Sequence, residues 1–112
     1  MKKDDRVFLR HILESIEKIE EFTQKLMESD FSRQVQVQDA VMRRLEIIGE
    51  ATKNISPGFR ARHPSVPWRE MARMRDKLTH DYFGVDIVIV WRVVKNELPK
   101  LKIKIEQALQ AM

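Results

Sequence analysis

The chain has no cysteine, three glycines, four prolines and a single tyrosine. Each shortage narrows what it can be. Without cysteine there are no disulfides and no thiolate-bound zinc. The three glycines are never grouped as a phosphate-cradling loop, and no serine stands in a nucleophile elbow. There is no HExxH pair and no carboxylate cluster suited to magnesium, so neither a metal nor a cofactor is expected. No window approaches the roughly 18 consecutive apolar residues of a membrane helix. The opening MKKDDRVFLR is too charged for the core of a secretory signal. The expectation is a cytoplasmic protein without membrane contact. There are no internal repeats and no low-complexity stretches.

What is present is compact and helical in pattern. At 112 residues the chain suits one domain, 1–112. Its core is modest, and chains of this size often gain stability by oligomerising. The net charge is +4, and it is unevenly placed. Between Thr52 and Lys77 stand Lys53, Arg60, Arg62, Arg69, Arg73, Arg75 and Lys77, against only Glu70 and Asp76. That stretch carries more than the whole excess, which points to a phosphate-rich partner or to a solvated basic face.

Apolar residues recur at steps of three and four in four places. Phe8, Ile12, Ile16, Ile19, Thr23 and Leu26 mark a first helix, capped by Asp4 or Asp5 and ending near 27–30. Val37, Val41, Leu45, Ile48, Ala51 and Ile55 mark a second, starting after Asp30 or Ser32, although VQVQ at its head alternates like a strand. Gly49 inside it costs roughly 1 kcal/mol against alanine, which a close helix contact would justify. SPGFRARHPSVP holds three of the four prolines and breaks the pattern. Pro67 suits the first turn of a third helix, with Trp68, Met71, Arg75 and Leu78 on one stripe. Asp86 caps a fourth helix, along which Ile87, Val90, Val94, Leu98, Leu101 and Ile105 align, with a kink or break at Pro99. Val88, Ile89, Trp91 and Val93 make that helix apolar on more than one side, which suits a dimer interface. The fold expected is an all-α, four- to five-helix up-down bundle, paired about a two-fold axis.

Chemistry concentrates in MRDKLTHDYFGVD, residues 74–86. Arg75 offers a fork of donors for phosphate oxygens, and His80 can move a proton near neutral pH. Neither needs a metal. Residues five apart on an ideal helix differ by about 140°. Arg75 and His80 would therefore converge only if the helix ended near Thr79, leaving His80 and Tyr82 in the turn before Gly84. Arg73 and Lys77, one turn apart, are candidates for backbone phosphates. Glu46 and Glu50 could support a basic site or simply pair with Arg43 and Lys53. Asp76 partly neutralises its neighbour Arg75. His11 reads as structural or exposed, and His63 as a turn residue in the basic loop.

The segment R-x4-H-x-Y formed by Arg75, His80 and Tyr82 resembles the motif of the HepT toxins, a branch of the HEPN superfamily. RRLEIIGEATKNIS, RHPSVPW and VDIVIVWRVVKNELPKL are similar to the family's flanking segments, so the resemblance covers essentially the whole chain. It implies a small helical homodimer that is the toxin of a type II toxin–antitoxin pair. It also implies RNA as substrate and metal-independent cleavage by Arg75 and His80. The partner implied is an MNT-type nucleotidyltransferase antitoxin that silences the toxin by AMP transfer to Tyr82. The alternative is a non-catalytic subunit that positions substrate for that nucleotidyltransferase.

Overall fold

The structure, a computed structural model, describes residues 4–112. Helices run as α1 (Asp5–Thr23), α2 (Glu28–Arg33), α3 (Val35–Asn54), α4 (Pro57–Arg62), α5 (Trp68–His80), α6 (Ile87–Arg92) and α7 (Leu98–Gln110). A 3-10 turn (Tyr82–Gly84) follows α5, and a π-helical turn (Val93–Glu97) joins α6 to α7. Among the described residues there is no strand, and no helix is long and apolar enough to cross a membrane. The fold is the all-α bundle expected: α1, α3, α5 and the α6–α7 rod are its four long members, with α2 and α4 as short connectors.

The bundle runs up and down, as cross-links show. Asp5 at the start of α1 accepts from the amide and hydroxyl of Ser56, just past the end of α3, at 2.8 and 2.7 Å. Between α3 and α5 the contacts descend one helix while climbing the other: Lys53 to Asp76, Glu50 to Arg75, Glu46 to Thr79, Asp39 to Tyr82. Lys95 in the π turn donates to the Thr23 carbonyl at the end of α1, while Lys104, further along α7, reaches Ser65 before α5. The four apolar stripes meet in one core, with Ile12, Ile16, Val41, Leu45, Leu78, Val90, Leu98 and Ile105 buried. Burying each such side chain contributes about 1.5–3 kcal/mol.

Gly49 marks the closest approach of α3 and α5. A Cβ there would lie 2.2 Å from Arg75 Cβ and 2.7 Å from the Met71 carbonyl oxygen. The close contact that the sequence required exists, and it falls beside Arg75.

Several boundaries differ from expectation. Helix α1 stops at Thr23, whose buried hydroxyl donates back to Ile19 at 2.8 Å. The residues expected to finish it instead begin α2, where Asp30 caps the Met27 amide and Phe31 plugs the core. VQVQ is the first turn of α3, and the chain is turned there by Gln38, whose amide donates to the Phe31 carbonyl at 2.7 Å. Pro67 sits one residue before α5 rather than inside it. Pro99 lies in the first turn of α7, and the irregularity it demands appears upstream as the π turn. Proline has no N–H for the preceding turn and its ring crowds the carbonyl there, and widening that turn accommodates both.

Candidate functional site

Helix α5 presents its motif to α3. Arg75 lies half-buried, its side chain 26% exposed, with Nε 2.9 Å from Glu50 Oε2 and Nη1 3.3 Å from Asp76 Oδ1. The Glu50 contact is an ion pair without hydrogen-bond alignment, so the buried Nε–H has no acceptor. Asp76 also accepts from Lys53. That bond and the bond from Arg75 hold its carboxyl below the usual aspartate range. Glu46 accepts from Arg43 at 2.7 Å and from the Thr79 hydroxyl at 3.1 Å, and chiefly the Arg43 bond lowers its pKa too. The surroundings of Arg75 are therefore lined with paired charges. Glu50 faces Arg75 rather than Lys53.

His80 is the last residue of α5 and is exposed. The expectation that the helix would end near Thr79 and release His80 toward Arg75 is not met. The Asp81 amide donates to the Lys77 carbonyl at 2.8 Å, so the helical ladder continues past His80. By the geometry of a continuous helix, Arg75 and His80 leave α5 on different faces. Tyr82, in the 3-10 turn, folds back onto α3 and donates its hydroxyl to Asp39. That bond, then burial and the Asp39 charge, push its phenol up to about 12. The ring is still 40% exposed.

Of the two phosphate candidates, Lys77 is held by Asp81 at 2.8 Å, and it lowers that aspartate's pKa. Arg73 instead lines an open groove with Arg60 and Arg69.

A second groove, of about 360 Å³, lies where α1, α3 and α5 meet, with Arg43, Glu46, Glu50, Asn54 and Arg75 on its walls. Phe8 and His11, their rings 6.4 Å apart, line it from α1. Sequence reasoning placed His11 outside the site. The only signal available was its position beside the apolar stripe, which says nothing of how α1 crosses α3. His63 is structural as expected: it ends α4, its carbonyl accepts from Trp68 Nε1 at 3.0 Å, and its ring stacks on Phe59 at 4.4 Å.

The chain is a small all-helical bundle whose arginine, histidine and tyrosine lie along and just past the end of its third long helix, Arg75 and His80 on different faces, and such bundles serve many classes of protein. The comparisons with known proteins fix which. The chain matches the family described as "Ribonuclease HepT-like" over residues 12–108, and it belongs to that family. It is 53% identical to a "Probable ribonuclease HepT" of Thermococcus cleftensis over 107 residues, covering 96% of this chain and 97% of that one. It is also 50% identical, over its full 112 residues, to half of a Methanocaldococcus jannaschii protein named as a gamma-glutamylcyclotransferase and "putative RNase". No solved structure matches the chain.

Proposed function

We propose that the chain is a metal-independent endoribonuclease, one domain spanning 1–112, and the toxin of a type II toxin–antitoxin pair in the cytoplasm. The observation that carries this reading is membership of the HepT-like family with Arg75, His80 and Tyr82 in the R-x4-H-x-Y spacing. In the reaction a base removes the proton of an RNA 2′-hydroxyl, and that oxygen attacks the adjacent phosphorus. The 5′-oxygen leaves with a proton from an acid, giving a 2′,3′-cyclic phosphate and a 5′-hydroxyl. His80 supplies proton transfer, and the Arg75 guanidinium neutralises the phosphorane. Arg73 and Lys77 hold flanking phosphates, Lys77 by exchanging Asp81 for RNA.

One histidine per chain leaves either the base or the acid missing. A two-fold homodimer supplies the second His80 and a second Arg75. Phe83, fully exposed beside the motif, and Val88 and Ile89, about half exposed on α6, support such an interface. Silencing follows from transfer of AMP from ATP by a nucleotidyltransferase partner to the Tyr82 oxygen, with pyrophosphate leaving and the hydroxyl giving up its bond to Asp39. The added phosphate places bulk and negative charge two residues from His80, where RNA must approach.

The test is cleavage of a labelled RNA by the purified chain in EDTA, with end-group analysis of the products. His80→Ala should lower the rate by about 10² to 10⁴, and Arg75→Lys should fail because an ammonium is not a fork. Loss of cleavage on chelation, or full activity of His80→Ala, overturns the assignment. A wild-type chain that binds RNA and the nucleotidyltransferase but never cuts favours the substrate-positioning subunit instead. With the partner, ATP and magnesium, mass spectrometry should show AMP adducts on the wild type and none on Tyr82→Phe.

A further inference from the structure

Beyond the motif itself, the surface holds a cluster of arginines without an ion pair. Arg60 of α4 and Arg69 and Arg73 of α5 line an open groove of about 540 Å³. Among the described residues none of the three forms an ion pair. The one acid on the groove wall, Asp76, is already committed to Lys53 and Arg75. Arg60 is half-buried, and its Nε–H is a buried donor with no acceptor. An orphaned buried guanidinium N–H is costly unless something supplies an oxygen.

The groove also has a direction. Arg69, Arg73, Asp76 and His80 are spaced four, three and four residues apart, so they form one stripe along α5. Eleven residues at 1.5 Å each put His80 roughly 16 Å along the helix from Arg69. His80 lies about one helical turn beyond Asp76, the last α5 residue on the groove wall, so the groove leads toward it. The groove is open and elongated rather than enclosed, and arginine forks match phosphodiester oxygens two at a time. Compact anions need convergent donors, whereas these donors follow one another along a line.

We infer that the α4–α5 face is an RNA-backbone track: Arg60, Arg69 and Arg73 hold successive phosphates of a single strand and deliver it along α5 to His80. This rests on the ribonuclease reading for the purpose of the track, but not for its existence. The track positions the strand without reading its bases, because phosphate contacts carry no sequence information.

The experiment measures binding of a labelled single-stranded RNA across a salt series, on full-length chain carrying His80→Ala so that the RNA stays intact. Each lost phosphate contact removes about 0.7 from the slope of log affinity against log salt. Arg60→Gln with Arg69→Gln should therefore flatten the slope by about 1.4, and the double lysine variant should keep it largely intact. Because Arg60 is half-buried, Arg69→Gln alone, at an exposed position, serves as the control for folding and should remove about 0.7. An unchanged slope in variants with wild-type circular dichroism overturns the track, and would leave an acidic protein surface as the groove's occupant. The two readings fail separately. A wild type that cleaves while the glutamine variants keep their slope refutes the track alone. A flattened slope in a chain that never cleaves refutes the catalytic reading alone.

Discussion

Tyr82 is the chain's one tyrosine, so its phenol can be titrated without interference from another. Its hydroxyl donates to Asp39, and that bond favours the protonated phenol, raising its pKa to about 12 from an ordinary 10.0. The stability the bond contributes is complete below pH 10 and is lost as the pH rises toward 12. Tyrosinate absorbance should therefore develop near pH 12 in the wild type and move down toward 10 in Asp39→Asn. Circular dichroism on the same samples separates this from titration of unfolded chain. A wild-type transition at 10 with the fold intact would show that the Asp39 contact does not persist in solution. Asp39 also illustrates what a linear reading misses. Arg75, His80 and Tyr82 were legible because their types and spacing lie within eight residues of sequence. Asp39 and His11 gave no such signal. Their places depend on how α3 and α1 cross α5, and a one-dimensional pattern does not contain a crossing.

Helices α3 and α5 test whether the crossing itself is set by sequence. Gly49→Ala gains roughly 1 kcal/mol of helix propensity, but the new methyl would overlap Arg75 Cβ and the Met71 carbonyl. Backbone and a Cβ cannot rotate away, so the helices must separate, and overpacking of this kind costs about 1–3 kcal/mol. The expected result is a lower urea midpoint together with weaker RNA cleavage, since Arg75 moves with the helix. A more stable Gly49→Ala would mean that the crossing is looser than the geometry indicates. The four long helices were legible because Ile12 to Ile19, Val41 to Ile48, Trp68 to Leu78 and Val90 to Ile105 keep the helical period. The breaks were not. Helix α1 yields to α2 because Phe31 must reach the core and Gln38 can hold the Phe31 carbonyl, a contact across seven residues that periodicity ignores. Pro99 announced a fault in the last rod, but not that a π turn upstream would absorb it.

For the whole molecule, the decisive quantity is the oligomeric state. Phe83 is fully exposed and Ile89 51% exposed in the single chain, and burying a phenylalanine is worth about 1.5–3 kcal/mol. In the proposed two-fold dimer, Phe83→Asp would remove two such side chains from the interface. The dimer dissociation constant should rise roughly a hundredfold or more, with cleavage falling in parallel and the helical signal retained. Sedimentation equilibrium of both proteins decides it. A wild type that is monomeric and still cuts RNA would remove the need for a second His80.

The contacts between α3 and the far end of α5 have one more consequence. Past Met71 the segment buries one apolar side chain of its own, Leu78, and beyond the Gly49–Arg75 approach it depends on the Arg75, Asp76, Thr79 and Tyr82 contacts near the surface. Exposed polar contacts of this sort cost little to break, whereas extracting an apolar core is expensive. The motif end of α5 should therefore detach from α3 in small steps while the rest of the bundle stays closed. Amide hydrogens should exchange fastest around residues 80–84 and progressively more slowly back toward Met71, so the residues assigned to chemistry and to its control occupy the part of the molecule that opens first.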